Sequence, residues 1–167
     1  MDAAHFYDHL LQAFGETVFI DHECLRAGQH WRTRIDEVIA AAAVMVVVLS
    51  KGWCEEIQRR HREQLSDEVL REISLALDTG KTLTPLYVER ADAATSAEAM
   101  RFAADSAAYR VVQALVDAHT VRWRAASRDA DLARLSNELT HCLPRFGQRL
   151  IRRCQQQLTA QLDASTA

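Results

Sequence analysis

The residues of this chain that could do chemistry are few and scattered. His5 and His9 stand four apart on one helix face, but no glutamate or third ligand completes an HExxH-type zinc site, so they read as a surface pair. The four cysteines (Cys24, Cys54, Cys142 and Cys154) form no CxxC pair and show no metal-ligand spacing. They read as free thiols of a reducing compartment, and no metal site is expected. Ser50 closes an apolar run but lacks the GxSxG setting of a hydrolase nucleophile, and there is no glycine-rich phosphate loop. A carboxylate and a loop remain. Glu72 lies in mid-helix, where spacing alone makes it a solvated face residue. The loop 21–31 begins at Asp21 after the aromatic Phe19 and carries Arg26, Gly28 and Trp31. Taken as scaffold, Trp31 packs a helix start and Gly28 makes the turn.

The elements that must position these residues follow from apolar periodicity. Phe6, Leu10, Leu11 and Phe14 recur at helical spacing between Asp2, an N-cap, and Gly15, a stop. Residues 17–21 are β-branched and aromatic and predict a short strand. Residues 32–42 predict a helix with Ile35, Val38 and Ile39 on one face. The run 43–50 is apolar on both alternating faces, the pattern of a parallel strand covered on both sides. Residues 51–65 read as a charged connection long enough to be functional. A helix capped by Ser66 turns Val69, Leu70, Ile73, Ala76 and Leu77 inward and ends at Gly80. Strand 83–88 follows, with Pro85 restricting it to a strand start, an edge or a bulge. Residues 90–113 are alanine-rich and weakly patterned. A short strand at 119–123 and a helix at 127–143, bearing Leu132, Leu135 and Leu139, complete the series before Pro144. The tail 144–167 is amphipathic, with Phe146, Leu150, Ile151, Cys154, Leu158 and Leu162 on one side.

Strands alternating with helices predict an α/β fold with a parallel, doubly wound sheet. Such sheets bind ligands beyond the carboxyl ends of their strands, which directs attention to the loops after Asp21 and Ser50. With 167 residues the chain suits one domain and a short appendage. The 49% hydrophobic and 26% charged content argues against disorder, and a net charge of -3 points to neither nucleic acid nor an anionic membrane as the main partner. The longest apolar run falls short of the roughly 20 residues a membrane span needs. No signal-peptide pattern opens the chain, so the expected location is cytoplasmic.

The two loops and their flanks also carry a family resemblance. Phe19-Ile-Asp21, then Leu25-Arg-Ala-Gly28 and Trp31 before an amphipathic helix, resemble the second strand and BB loop of the TIR (Toll/interleukin-1 receptor) family. The strand ending Leu49-Ser50, with Trp53 after it, resembles the third strand. Asp67-Glu-Val-Leu-Arg-Glu72-Ile, then Gly80 and Leu83-Thr-Pro85, resembles the third helix and fourth strand. Asp131-Leu132 with Leu135 and Leu139 fits the closing helix. The similarity runs from about residue 5 to 143 and is nearest to bacterial stand-alone TIR proteins. It implies a flavodoxin-like three-layer α/β/α domain at 1–143 with a helical tail at 144–167. The family's usual first strand, which lies centrally in its sheet, has no counterpart here, and the expectation is that Met1 lies inside a longer reading frame.

The resemblance implies a chemistry. Enzymatic TIR domains cleave the bond between nicotinamide and ribose in NAD+. The ribose carbon becomes oxocarbenium-like, while nicotinamide leaves neutral from a pyridinium and needs no proton donor. One carboxylate that orients the ribose hydroxyls and stabilises the positive charge therefore suffices. Glu72 matches that glutamate. Phe19, Arg26, Trp31 and Ser50 are the implied nucleotide contacts, NAD+ is the implied substrate, and no permanently bound cofactor is implied. The implied partners are other TIR domains, met through the loop 21–31. The implied role is a signalling or defence protein that acts as an NAD+ nucleosidase on self-association; the alternative is a non-catalytic TIR interaction module. Two departures from enzymatic members are Glu68, where some carry an aromatic one turn before the glutamate, and the arginine that the missing strand would bring.

Overall fold

The chain's most apolar segment forms the strand that its pattern predicts, and the other elements are arranged around it. The computed structural model describes residues 3–15, 18–19, 30–91 and 93–142. In order these are α1 (Ala3–Phe14), α2 (Trp31–Ala41), β1 (Val44–Leu49), α3 (Trp53–Arg62), α4 (Glu68–Asp78), β2 (Thr82–Val88), α5 (Ser96–Ala99), α6 (Ala107–Asp117), β3 (Val121–Trp123), a 3-10 turn (Ala125–Ser127) and α7 (Arg128–Cys142). Arg26, the rest of the 20–29 segment, the N-cap at Asp2 and the tail from Pro144 lie outside the described residues. Of the strand expected at 17–21, only Val18 and Phe19 are described, and neither is in a strand.

The three strands form one parallel sheet in the order β1-β2-β3. Val44 to Leu49 pair in register with Thr82 to Tyr87, and Leu86 to Val88 with Val121 to Trp123. Pro85 lies opposite Val47 but ahead of the β3 pairing. At that point β2 is still an edge on the β3 side, where a missing donor is tolerated.

Period-two alternation divides the core into two layers. Leu86, Val88, Val121 and Trp123 face α1 and α7, packing on Phe14, Leu132, Leu135 and Leu139. Val47, Leu49 and Tyr87 face the other way, onto Ile73 of α4 and Val111 and Leu115 of α6. The result is the expected flavodoxin-like α/β/α architecture. Helix α2 joins the second layer by laying Ile35 and Ile39 on Ala76, which is fully buried.

Three local expectations change. Residues 53–62 are helix, not connection. Only Cys54 and Ile57 of that helix are buried, too narrow a stripe to register as amphipathic. Its exposed face is laced by Arg59–Glu56, Arg59–Glu63 and Arg60–Glu56 pairs at helical spacing. Asp67 rather than Ser66 caps α4, its side chain accepting a hydrogen bond from the Leu70 amide at 3.0 Å. Val69 is 57% exposed: it shares the face of Ile73 and Ala76 but stands in the first turn, ahead of the part of α4 that is buried. In the weakly patterned stretch, Ser106 caps α6 by accepting from the Tyr109 amide, and that helix buries Ala108, Val111, Val112 and Leu115.

Candidate functional site

Helix α4 fixes Glu72 by its neighbours. Ile73, the next residue, is 1% exposed and anchored in the core, which leaves Glu72 half-buried on the adjoining flank. That flank opens on a cavity of about 570 Å³. The cavity straddles the edge of the sheet. Leu10, Phe14 and Leu139 come from the α1/α7 layer, Ile35, Val38 and Ile39 from α2, and Val44 to Val46 of β1 form the floor between them. Among the described residues, no strand pairs with that edge of β1. Phe19 also lines the cavity, so the structure brings two of the sequence-predicted site residues together.

The charged groups of this cavity are Glu72, Arg34, Glu37 and Lys81. Arg34 pairs with Glu37 at 3.3 Å, and Lys81 donates from Nζ to the Ala40 carbonyl at 2.6 Å. Lys81 and Arg34 are cavity residues that sequence reasoning missed. A lysine after a helix-stop glycine and an arginine in a first helical turn carry no distinguishing pattern, and only packing brings them beside Glu72.

The other predicted contacts are placed apart. Trp31, the first residue of α2, is 41% exposed and does not pack as a core residue. The Arg32 guanidinium lies 4.9 Å from its ring centroid, within cation–π range. Ser50 is exposed at the carboxyl end of β1, whereas the cavity meets that strand at its amino-terminal half. Neither residue is among those lining the cavity. Trp53 has a packing role, with its ring 6.5 Å from that of Tyr87.

One turn before Glu72, α4 carries charge that the spacing did not reveal. Glu68 pairs with Arg32 and with Arg71, the latter at 2.9 Å, and Arg71 reaches Asp36 of α2 at 2.6 Å. The Arg32 and Arg71 guanidiniums hold the Glu68 carboxyl below the usual carboxylate range. Glu68 thus fills with an ion-pair network the place where an aromatic stands in some enzymes of the resembled family.

A sequence model of the TIR domain matches residues 1–135. The chain belongs to the TIR domain family. The match covers every described element up to the middle of α7 and joins the parallel sheet, the Glu72 helix and the closing helix in one family pattern. TIR domain proteins act in signalling and defence, which is the general role of this chain. A search of curated proteins found no match. No metal-binding group of His, Cys, Asp or Glu occurs among the described residues. His9 instead pairs with Ser136 at 3.0 Å, joining α1 to α7. No described helix is long and apolar enough to cross a membrane.

Proposed function

We propose that this TIR domain is an NAD+ nucleosidase acting in the cytoplasm, with Glu72 as its catalytic carboxylate. The observation that supports the reading is the placement of Glu72, half-buried in a cavity of about 570 Å³ that also holds Phe19 and is lined mainly by apolar side chains, with Arg34, Glu37 and Lys81 as its other charged groups. That volume lies within the range of small-molecule sites, roughly 300–1,000 Å³, and suits the nicotinamide–ribose end of the dinucleotide.

In the proposed reaction the bond between the ribose carbon and the nicotinamide nitrogen breaks. Its electron pair neutralises the pyridinium, so nicotinamide leaves uncharged. The positive charge that develops on the ribose is stabilised by the Glu72 carboxylate, which also orients the ribose hydroxyls. Water then adds to the ribose carbon and loses a proton, giving ADP-ribose. Where the walls are apolar the carboxylate's field is screened less than in water, which raises its effect on the developing charge. Phe19, which lines the same cavity, is the proposed cover for a ring of the substrate. Arg26, Trp31 and Ser50 are proposed contacts with the remainder of the dinucleotide, made when copies associate through the loop 21–31.

A second reading has its own support. Trp31 and Val69 are both large and exposed, and neither lines the Glu72 cavity, which favours a surface that binds another TIR domain without catalysis. One experiment separates the two. Nicotinamide release from NAD+ is measured at high protein concentration for the wild type and for Glu72→Ala. Loss of at least about 100-fold with self-association intact supports the enzyme. Equal rates, or none from a folded and self-associating wild type, support the interaction module.

A further inference from the structure

Arg71 and Glu72 are adjacent in sequence but engage different surroundings. Glu72 opens on the cavity described above, while Arg71 spans to α2. Its Nη1 reaches Asp36 at 2.6 Å and its Nε reaches Glu68 at 2.9 Å. Glu68 in turn accepts from Arg32, at the first turn of α2. A chain of four side chains, Asp36–Arg71–Glu68–Arg32, therefore leaves α2, crosses α4 and returns to α2.

The same two helices touch at a second point. Ile35 and Ile39 close on Ala76, whose small side chain is fully buried and allows close approach. Ala76 lies four residues beyond Glu72, about 6 Å along the helix axis. Glu72 thus sits between an apolar pivot at Ala76 and an ionic strap at Arg71. The core holds α4 through Ile73, the Ala76 contact sets its distance from α2 at one point, and the strap sets that distance again about one turn away.

We propose that Arg71 is a positioning residue, strapping α4 to α2 so that the Glu72 carboxylate is held against the cavity. The proposal rests on the reading of Glu72 as catalytic. The guanidinium suits this task because its planar fork addresses two carboxylates at once, which an ammonium does less well. The strap adds little to stability. Its side chains are 31–60% exposed, so solvent screens the pairs. Moreover, Arg71 Nη2 is covered without a hydrogen-bond partner among the described residues, a cost that opposes the gain from the other two nitrogens. An arginine that contributes little to the fold yet ties two walls of one cavity has its effect on geometry.

The test compares wild type, Arg71→Met, Arg71→Lys, Asp36→Asn and Glu72→Ala. Backbone hydrogen exchange gives a readout independent of catalysis. Arg71→Met and Asp36→Asn are expected to speed exchange in α2 and the first two turns of α4 several-fold, leaving α6 unchanged and the melting temperature nearly so. In steady-state nicotinamide release, Arg71→Met is expected to lower kcat about tenfold with KM within twofold, and Arg71→Lys to recover part of the loss. Unchanged exchange in α2 and α4, or an unchanged kcat in an enzyme that depends on Glu72, overturns the proposal. Release that persists in Glu72→Ala defeats the nucleosidase reading instead, and the exchange pattern then decides the strap by itself.

Discussion

Asp131 and Glu68 are both carboxylates held by arginines, yet the Asp131 side chain is 1% exposed and that of Glu68 is 31% exposed. Asp131, at the start of α7, accepts from the Arg124 backbone amide, from Arg124 Nε and Nη2, and from the Ser127 hydroxyl at 2.7 Å. These bonds fold the chain between β3 and α7 back on itself and leave the carboxylate fully satisfied. Glu68 and its partners link two helices across open surface. The difference teaches that burial decides what a charge does. A buried, fully bonded carboxylate fixes topology, since removing any partner leaves an uncompensated group. An exposed network contributes little free energy and serves to adjust geometry.

The comparison can be broken in several places. Leu135, fully buried beneath the Asp131 turn in the cluster shared by α1, α7 and the sheet, is expected to cost about 3 kcal/mol when changed to alanine. Urea denaturation would measure this, and a loss under about 1 kcal/mol would mean that α7 is not part of the cooperative core. Asp131→Asn should cost about 2 kcal/mol, because its amide nitrogen faces donors only. A variant as stable as wild type would make the buried carboxylate no more structural than the exposed one.

Acid and salt should act on the two regions differently. Arg124 and then Ser127 hold the folded Asp131 carboxyl below its ordinary range. As pH falls, the unfolded chain therefore takes up a proton before the folded one does. The stability from Asp131 is complete above the ordinary carboxylate pKa of about 4 and is lost as pH falls through the lower folded value. Asp131→Asn should flatten that part of the acid limb in a pH series of urea melts. Raising salt from low to about 0.5 M should leave Asp131 largely untouched but speed hydrogen exchange in α2 and α4, because exposed pairs are screened over a few ångströms. The smallest expected effect is that of Asp36→Asn on melting temperature, under about 2 °C. A shift as large as that of Asp131→Asn would erase the distinction between a lock and a strap.

Much of the fold was legible because core position imposes periodicity on the chain. The doubly apolar run became β1, the Ile73–Ala76 stripe became the buried face of α4, and Leu132, Leu135 and Leu139 became the inner face of α7. Legibility failed where little of an element is buried. Helix α3 has only Cys54 and Ile57 inside, so its sequence reads as a charged loop. Helix α6 begins within a stretch rich in alanine, whose small side chain contributes little contrast between faces. At the site, Glu72 and Phe19 were named from the chain, and the structure puts both in one cavity. The same reading grouped Ser50 with them, but Ser50 stands at the other end of β1.

The sequence by itself determined the best-buried strands and helices, that the sheet is parallel, the family, and which carboxylate to suspect. All of these follow from local burial patterns or from short motifs read in order. Only the tertiary structure decided that the cavity straddles the open edge of β1, that Lys81 and Arg34 share it with Glu72, and that Arg71 joins Asp36 across 35 positions of sequence. The physical reason is distance. Periodicity reports how deeply a residue is buried, whereas an ion pair or a cavity depends on how closely separate helices approach, and that is set by the side chains packed between them.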